Sequence, residues 1–113
     1  MTGTASQIEW AEQIRPRVDA EFHRVANAFR STASLQQERE REDTLAVVAI
    51  LEEKRLEVMA NDRAGYFIRN WQELTDQVRQ AIAADSRYQS IKANRKLRRH
   101  GIPEQAGIQS RQA

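Results

Sequence analysis

Apolar side chains recur at helical spacing between residues 64 and 82. When successive residues are rotated by about 100°, these side chains fall within an arc of roughly 80°. The pattern predicts one amphipathic helix whose stripe, with the large rings of Phe67 and Trp71, faces the core. The apolar positions are Ala64, Phe67, Trp71, Leu74, Val78 and Ile82.

A second stripe lies in the first third of the chain. Ser6-Gln7-Ile8-Glu9 has the spacing of a capping box, so we expect a helix to begin at Gln7 and to end within residues 31–34. Pro16 lies inside the stripe and predicts a kink near Arg15 or two abutting helices, because proline removes a backbone donor. The stripe comprises Trp10, Ile14, Val18, Phe22, Val25 and Phe29.

Residues 45–51 are apolar around the whole helical wheel. This predicts a helix that extends to about Ala60 and is either central or a subunit contact. A buried strand is the alternative for so short a run, but Ala46, Ala49 and the charged residues that follow favour a helix. The polar run before it, 36–43, is typical of a solvated helical turn or a linker.

Asn61-Asp62 can end this helix and cap the next one. The apolar period nevertheless continues from Leu56 through Ala60 to Ala64. One unbroken helix would be about 60 Å long, too long for a small monomer to cover, and would require a dimer. We favour the break.

The last predicted helix covers residues 86–100, with Asp85 or Ser86 as its cap. Gly101-Ile102-Pro103 is a stop signal, because glycine adopts the left-handed conformation and proline cannot continue a helix.

These elements predict an all-α protein: a three-helix bundle with an additional basic C-terminal helix, in a single domain over residues 6–103. We expect a disordered lead at residues 1–5 and a disordered tail at residues 104–113. A homodimer is an alternative, because residues 45–51 and the stripe at 64–82 offer more apolar surface than one small bundle needs.

The segment from Gln7 to Arg15 reads Gln-Ile-Glu-Trp-Ala-Glu-Gln-Ile-Arg. It resembles the Gln-Ile-x-Trp-Ala-x-x-Ile-Arg start of small uncharacterised proteins carried by bacterial phages, plasmids and integrated elements. Those proteins often have a later Trp-Trp-Ile-Asp-Asn-Arg stretch on a helix. Residues 66–71 are similar in their two leading aromatics, Ile68 and Asn70, and differ at the Asp and Arg positions. The resemblance implies a mobile genetic element as the setting, and no mechanism.

Composition restricts the class of protein. The 113 residues include no cysteine, which excludes a disulfide framework and a thiolate metal site. No apolar run approaches the roughly 20 residues that span a bilayer. Glu9 and Glu12 lie where a signal peptide would be apolar. We therefore expect a cytoplasmic protein with no membrane partner.

Charge is distributed unevenly along the chain. Residues 1–85 carry 11 Arg and Lys against 15 Asp and Glu, a net charge of −4, whereas residues 86–113 carry 7 against 1, a net charge of +6. An acidic body with a basic end points to an anionic partner for that end, although a solvated tail is the simpler alternative.

Motifs for catalysis are not found. The sequence lacks Gly-x-Ser-x-Gly, a phosphate-binding loop and His-Glu-x-x-His. His23 and His100 are its two histidines, and Asp19 and His23 have the spacing of a surface pair on a helix. We therefore expect no enzymatic activity, no cofactor and no metal site.

The candidate functional site lies on the basic helix. Its six cations span about 180° of the helical wheel, and Tyr88 and Ile91 lie in the middle of that arc. An interfacial membrane helix would separate its apolar and basic faces, so the mixture argues against a lipid partner. The candidate residues are Arg87, Tyr88, Lys92, Arg95, Lys96, Arg98 and Arg99.

Three interpretations of this helix stay open. It can bind nucleic acid through phosphates, with Tyr88 stacking on a base or sugar. It can contact an acidic protein. It can also dock Tyr88 and Ile91 on the bundle, with the basic side chains around them. The first predicts a non-enzymatic, mobile-element accessory protein; the rival is a protein-binding adaptor or inhibitor, for example a phage-borne antagonist of a host defence complex.

Overall fold

The computed structural model describes residues 1–71 and 73–101. This part of the chain contains no strand, so the all-α class is confirmed for it. The expected stop at Ile102 and Pro103 and the expected tail at 104–113 lie outside the described residues. The helices are α1 (Ala5–Ala33), α2 (Glu38–Met59), α3 (Ala64–Asn70), α4 (Leu74–Ala83) and α5 (Ser86–Arg99).

The first helix begins earlier than predicted. Thr4 is its cap: the Thr4 side chain accepts from the backbone N–H of Gln7, and the Gln7 side chain accepts from the N–H of Thr4. This reciprocal pair is a capping box two residues before the predicted one at Ser6 and Glu9. The helix starts at Ala5 because Thr4 has the extended backbone that a cap requires.

The lead at residues 1–5, expected to be disordered, pairs with the turn before α3. The backbone N–H of Thr2 donates to the carbonyl of Asp62 over 2.7 Å, and the N–H of Ala64 donates to the carbonyl of Thr2 over 2.9 Å. These bonds form an isolated bridge between Thr2 and Arg63. The expectation of a disordered lead did not take these backbone partners into account, because they are distant in sequence.

α1 is one continuous helix with Pro16 inside it, so the alternative of two abutting helices is wrong. Its predicted stripe is buried at Ile14, Val18 and Phe22. Trp10, in contrast, is 53% exposed. The small residues Ala11 and Ala26 are fully buried on this face and allow neighbouring helices to approach closely.

α1 and α2 form a hairpin that is fastened at both ends by arginines. Arg15 of α1 donates to the carbonyl of Met59 in the last turn of α2. Arg41 of α2 donates to the carbonyl of Ala33, the last residue of α1, over 3.2 Å. Each arginine satisfies a helix-end carbonyl that has no partner within its own helix.

The predicted helix at residues 45–51 is confirmed as part of α2, and the strand alternative is wrong. Its inward face buries Val47, Val48, Ile50 and Leu51. The predicted break at Asn61-Asp62 is also confirmed, because α2 ends at Met59 and α3 begins at Ala64.

The predicted single helix over 64–82 is wrong, because it divides into α3 and α4 at Trp71. Trp71 leaves the helical conformation with φ −127° and ψ 41°. Its ring packs against Phe22 of α1, with centroids 5.6 Å apart. The indole N–H is buried and has no hydrogen-bond partner among the described residues, so this ring contributes through apolar packing.

Despite the break between α3 and α4, the predicted stripe positions Phe67, Val78 and Ile82 are buried.

α1 is the centre of the arrangement: it packs against α2, α3 and α4. α5 packs mainly against α2 and α4, and so lies at one side of the body. Among the described helices, none is long and apolar enough to cross a membrane.

Replacing Trp71 by alanine is expected to lower the free energy of unfolding by about 3–5 kcal/mol, the usual cost of truncating a buried aromatic residue. Trp71 is 6% exposed. Trp10, at 53% exposed, is the matched control, and Trp10→Ala is expected to cost about 1 kcal/mol or less. Urea unfolding followed by circular dichroism measures both variants. Equal losses of unfolding free energy in the two variants would contradict the burial of Trp71 and the exposure of Trp10.

Candidate functional site

The start of α5 is held to α2 by a group of charged side chains. Asp85 caps the helix by accepting from the backbone N–H of Arg87 over 2.8 Å. The Arg87 guanidinium donates to Asp85 over 2.9 Å and to Glu53 of α2 over 2.8 Å. The ammonium group of Lys54 of α2 lies 3.2 Å from Oδ2 of Asp85, the oxygen that also accepts from Arg87. Arg87 therefore serves to anchor α5, with its charge directed at two carboxylates.

These contacts change the ionisation of both partners. The guanidinium of Arg87, donating to the carboxylate, holds the pKa of Asp85 far below its usual range, although burial of Asp85 acts in the opposite direction. The same hydrogen bond, followed by the one to Glu53, raises the pKa of Arg87. Both groups are charged at neutral pH.

The second half of α5 is held by the beginning of α2. Arg95 donates to the hydroxyl of Thr44 over 2.6 Å and to the carbonyl of Glu40 over 2.9 Å. Arg98 donates to the carboxylate of Asp43. Thr44 is itself buried. Two more of the predicted site arginines therefore bind the protein's own body.

Tyr88 and Ile91 are partly buried and pack against the hydrophobic core. Together with Arg95 and Arg98 they follow the inward side of α5. This is the docked arrangement that the sequence left open. Because the inward side of α5 carries two arginines as well as Tyr88 and Ile91, apolar and basic residues share one arc of the helical wheel.

Arg87 is exposed, but it pairs with Asp85 and Glu53. The other exposed cations of the predicted site are Lys92, Lys96 and Arg99. They lie four and seven residues apart, on one side of the helix. Over seven residues the helix rises about 10 Å, so the three charges form a short row. We call these three residues the cationic row.

The cationic row borders a groove of about 440 Å³ between α1, α2 and α5. The groove has apolar walls from three helices: Phe29 of α1, Val47 of α2, and Tyr88 and Ile91 of α5. A cleft of this size, apolar inside and charged at its edge, suits a ligand with a flat apolar part and an anionic part.

Sequence reasoning missed Phe29 and Val47 as groove residues. It assigned Phe29 to a core stripe, and it had no means of placing α5 beside the end of α1. It also missed Asp43 and Glu53 as the partners of the α5 arginines. The acidic character of the body was a signal for such pairing, but it did not identify the carboxylates that face α5.

Exposed cations beside an apolar groove give this arrangement the means to bind an anion. Within residues 1–71 and 73–101, no group of three His, Asp or Glu side chains is placed to hold a metal ion. The predicted surface pair is present, with His23 3.7 Å from Asp19. Asp19 also accepts a hydrogen bond from Arg55 over 3.0 Å, which ties this pair to the α1–α2 contact.

Asp85→Asn is expected to destabilise the protein at neutral pH, because it keeps a capping side chain and removes the charge that binds Arg87 and Lys54. The pKa of Asp85 is lower in the folded state than the value of about 3.9 in an unfolded chain. Its stabilising contribution is therefore present above about pH 4 and is lost as the pH falls below that value.

The measurement is the free energy of urea unfolding of wild type and variant from about pH 7 to pH 2, in which the difference between them should shrink in acid. Asp76→Asn is the matched control, because Asp76 is an exposed aspartate in the first turn of α4. A difference that is constant with pH, or equal for both variants, would contradict this anchoring role.

Comparisons of the chain with protein-family models, with curated proteins and with solved structures find no match. The resemblance to mobile-element proteins stays a prediction. The function is therefore inferred from the cationic row, the groove beside it and the contacts that hold α5.

Proposed function

We propose that this chain is a non-enzymatic accessory protein of a mobile genetic element, and that it binds nucleic acid through phosphates in the cytoplasm. The observation that carries the proposal is the cationic row, Lys92, Lys96 and Arg99, exposed beside an apolar groove. In this proposal α1, α2 and the broken pair α3 and α4 form a three-helix body that carries the basic helix.

The row differs from the other cations of α5 in what its side chains contact. Arg87, Arg95 and Arg98 each bind acceptors of the protein's own body. The cations of the row are exposed, so they can replace the counterions of a phosphate backbone without breaking an internal ion pair. The seven predicted site residues therefore divide into the row, three anchoring arginines and Tyr88 in the groove wall.

Three phosphate contacts predict a modest but measurable dependence on salt. The slope of log K against log salt should be about −2 to −3, because each neutralised phosphate contributes roughly 0.7 to 0.9. The binding is expected to be largely independent of sequence, since phosphate contacts position a protein without reading bases.

Replacing Lys92, Lys96 and Arg99 together by glutamine is expected to weaken binding at least tenfold at low salt. The slope of log K against log salt should become less negative by about 1 for each phosphate contact that is removed. Fluorescence anisotropy of a labelled oligonucleotide, repeated at several salt concentrations, measures both quantities.

The matched control replaces Arg17, Arg63 and Arg69 by glutamine. These arginines are exposed, do not line the groove, and give the same change in net charge. The control should bind nearly as well as wild type. Unchanged binding by the first triple variant, or equal weakening by both, would contradict a role for the cationic row.

A second candidate function, a protein-binding adaptor or inhibitor, is favoured by an exposed apolar strip on α2. Leu45 is 45% exposed and Leu56 is 60% exposed, and eleven residues place them on the same side of a helix. Ala49, exposed between them, extends the strip. Large exposed apolar side chains on one side of a helix are a common feature of protein contacts, whether with a host protein or in a homodimer.

The double variant Leu45→Glu, Leu56→Glu is expected to abolish binding of a protein partner, whereas Leu35→Glu should not, because Leu35 is 88% exposed but lies between α1 and α2. Affinity capture from host extract should recover one stoichiometric protein with wild type and with Leu35→Glu. Light scattering at several protein concentrations measures the mass in solution and so tests whether the partner is a second copy of this chain. No stoichiometric partner, together with the mass of one chain throughout, would exclude this candidate.

A further inference from the structure

A second hollow, of about 420 Å³, adjoins the groove. Phe29 of α1 and Tyr88 of α5 line both spaces, so these two side chains border each of them. We call this pair the aromatic partition. The rest of the second hollow comes from α1 and α4, including Val25, Ala28, Arg79 and Ile82.

We propose that the two hollows take neighbouring bases of a single-stranded nucleic acid, one on each side of the aromatic partition, while the phosphates lie along the cationic row. This inference rests on the proposed function and adds the class of ligand. Each hollow lies within the range of roughly 300–1,000 Å³ that is typical of pockets for small ligands and their parts.

The chemistry of the walls favours an unpaired base. A nucleobase has a flat face that stacks on aromatic and aliphatic side chains, and such stacking is how proteins hold single strands without regard to sequence. Phe29, Tyr88 and Ile91 are partly buried and provide such walls. In a duplex the faces of the bases are already stacked on one another, so a duplex would leave both hollows unfilled.

Charge also favours a single strand. The row supplies three exposed cations, and residues 1–85 carry a net charge of −4 that repels additional phosphates. A duplex that relies on phosphates alone needs many such contacts for tight binding. A single strand adds base contacts to the same three phosphate contacts, so this surface should bind it more tightly.

The groove is not arranged to read a particular base. The hydroxyl of Thr44 donates to the side chain of Gln36 over 2.6 Å and accepts from Arg95 over 2.6 Å, so it is already used within the protein. Arg95 is used within the protein as well, and the other polar side chains of the walls include His100 and the cations of the row, which face the phosphates in this proposal. This surface should therefore bind single strands of many different sequences.

The test compares three labelled probes with the full chain: an oligothymidylate, an oligonucleotide of the same length and charge with abasic sites, and a duplex of that length. The oligothymidylate should bind at least tenfold more tightly than either of the others. Equal binding of the abasic strand or of the duplex would overturn this inference and leave the proposed function standing. No binding of any probe would overturn both.

A variant that fills the second hollow gives an independent test. Ala28→Leu adds a side chain at an exposed helical position of the wall, without removing core atoms. It should weaken binding of the oligothymidylate several-fold and leave binding of the abasic strand unchanged. Ala20→Leu, at another exposed position of α1, should change neither. Wild-type binding of the oligothymidylate by Ala28→Leu would overturn the placement of a base in this hollow.

Discussion

Attraction between the carboxylates of α2 and the guanidinium groups of α5 holds the candidate surface in place. Glu53 engages Arg87 at the start of α5, and Asp43 engages Arg98 near its end. α5 brings few large apolar side chains to the core, so packing alone would attach it weakly. The groove exists only while α5 lies along the body, because its walls come from three helices. The acidic body thus supplies partners for the basic helix.

The two kinds of cation on α5 have different physical roles. Arg87 and Arg95 each bind more than one acceptor at once, which the forked guanidinium group allows and which an ammonium group does with less directional control. Lys92 and Lys96 are exposed, and their strongly hydrated ammonium groups cost little to keep in water. Arg99 is the exception to this division, since it is exposed beside the lysines.

Periodicity was sufficient to find the helices, because burial of one face determines which residues must be apolar. It located the greater part of α2, the break after Met59 and α5, whose cap it assigned to Asp85 or Ser86. It failed at Trp71, because a stripe keeps its period when the backbone leaves the helix for a few residues and re-enters it. It also could not separate anchoring arginines from exposed cations. That distinction depends on which side of α5 meets the body, and opposing carboxylates from another helix decide it.

The attachment of α5 has a consequence for the order of synthesis. Domains generally begin to fold from the N-terminal side while the chain is being made. The acidic residues of α2 therefore emerge long before the arginines that will neutralise them, and they stay solvated until α5 follows. During that interval the nascent body, residues 1–85, carries a net charge of −4, which repels the ribosomal RNA close by. The basic surface is therefore completed after the surface of α2 on which α5 packs.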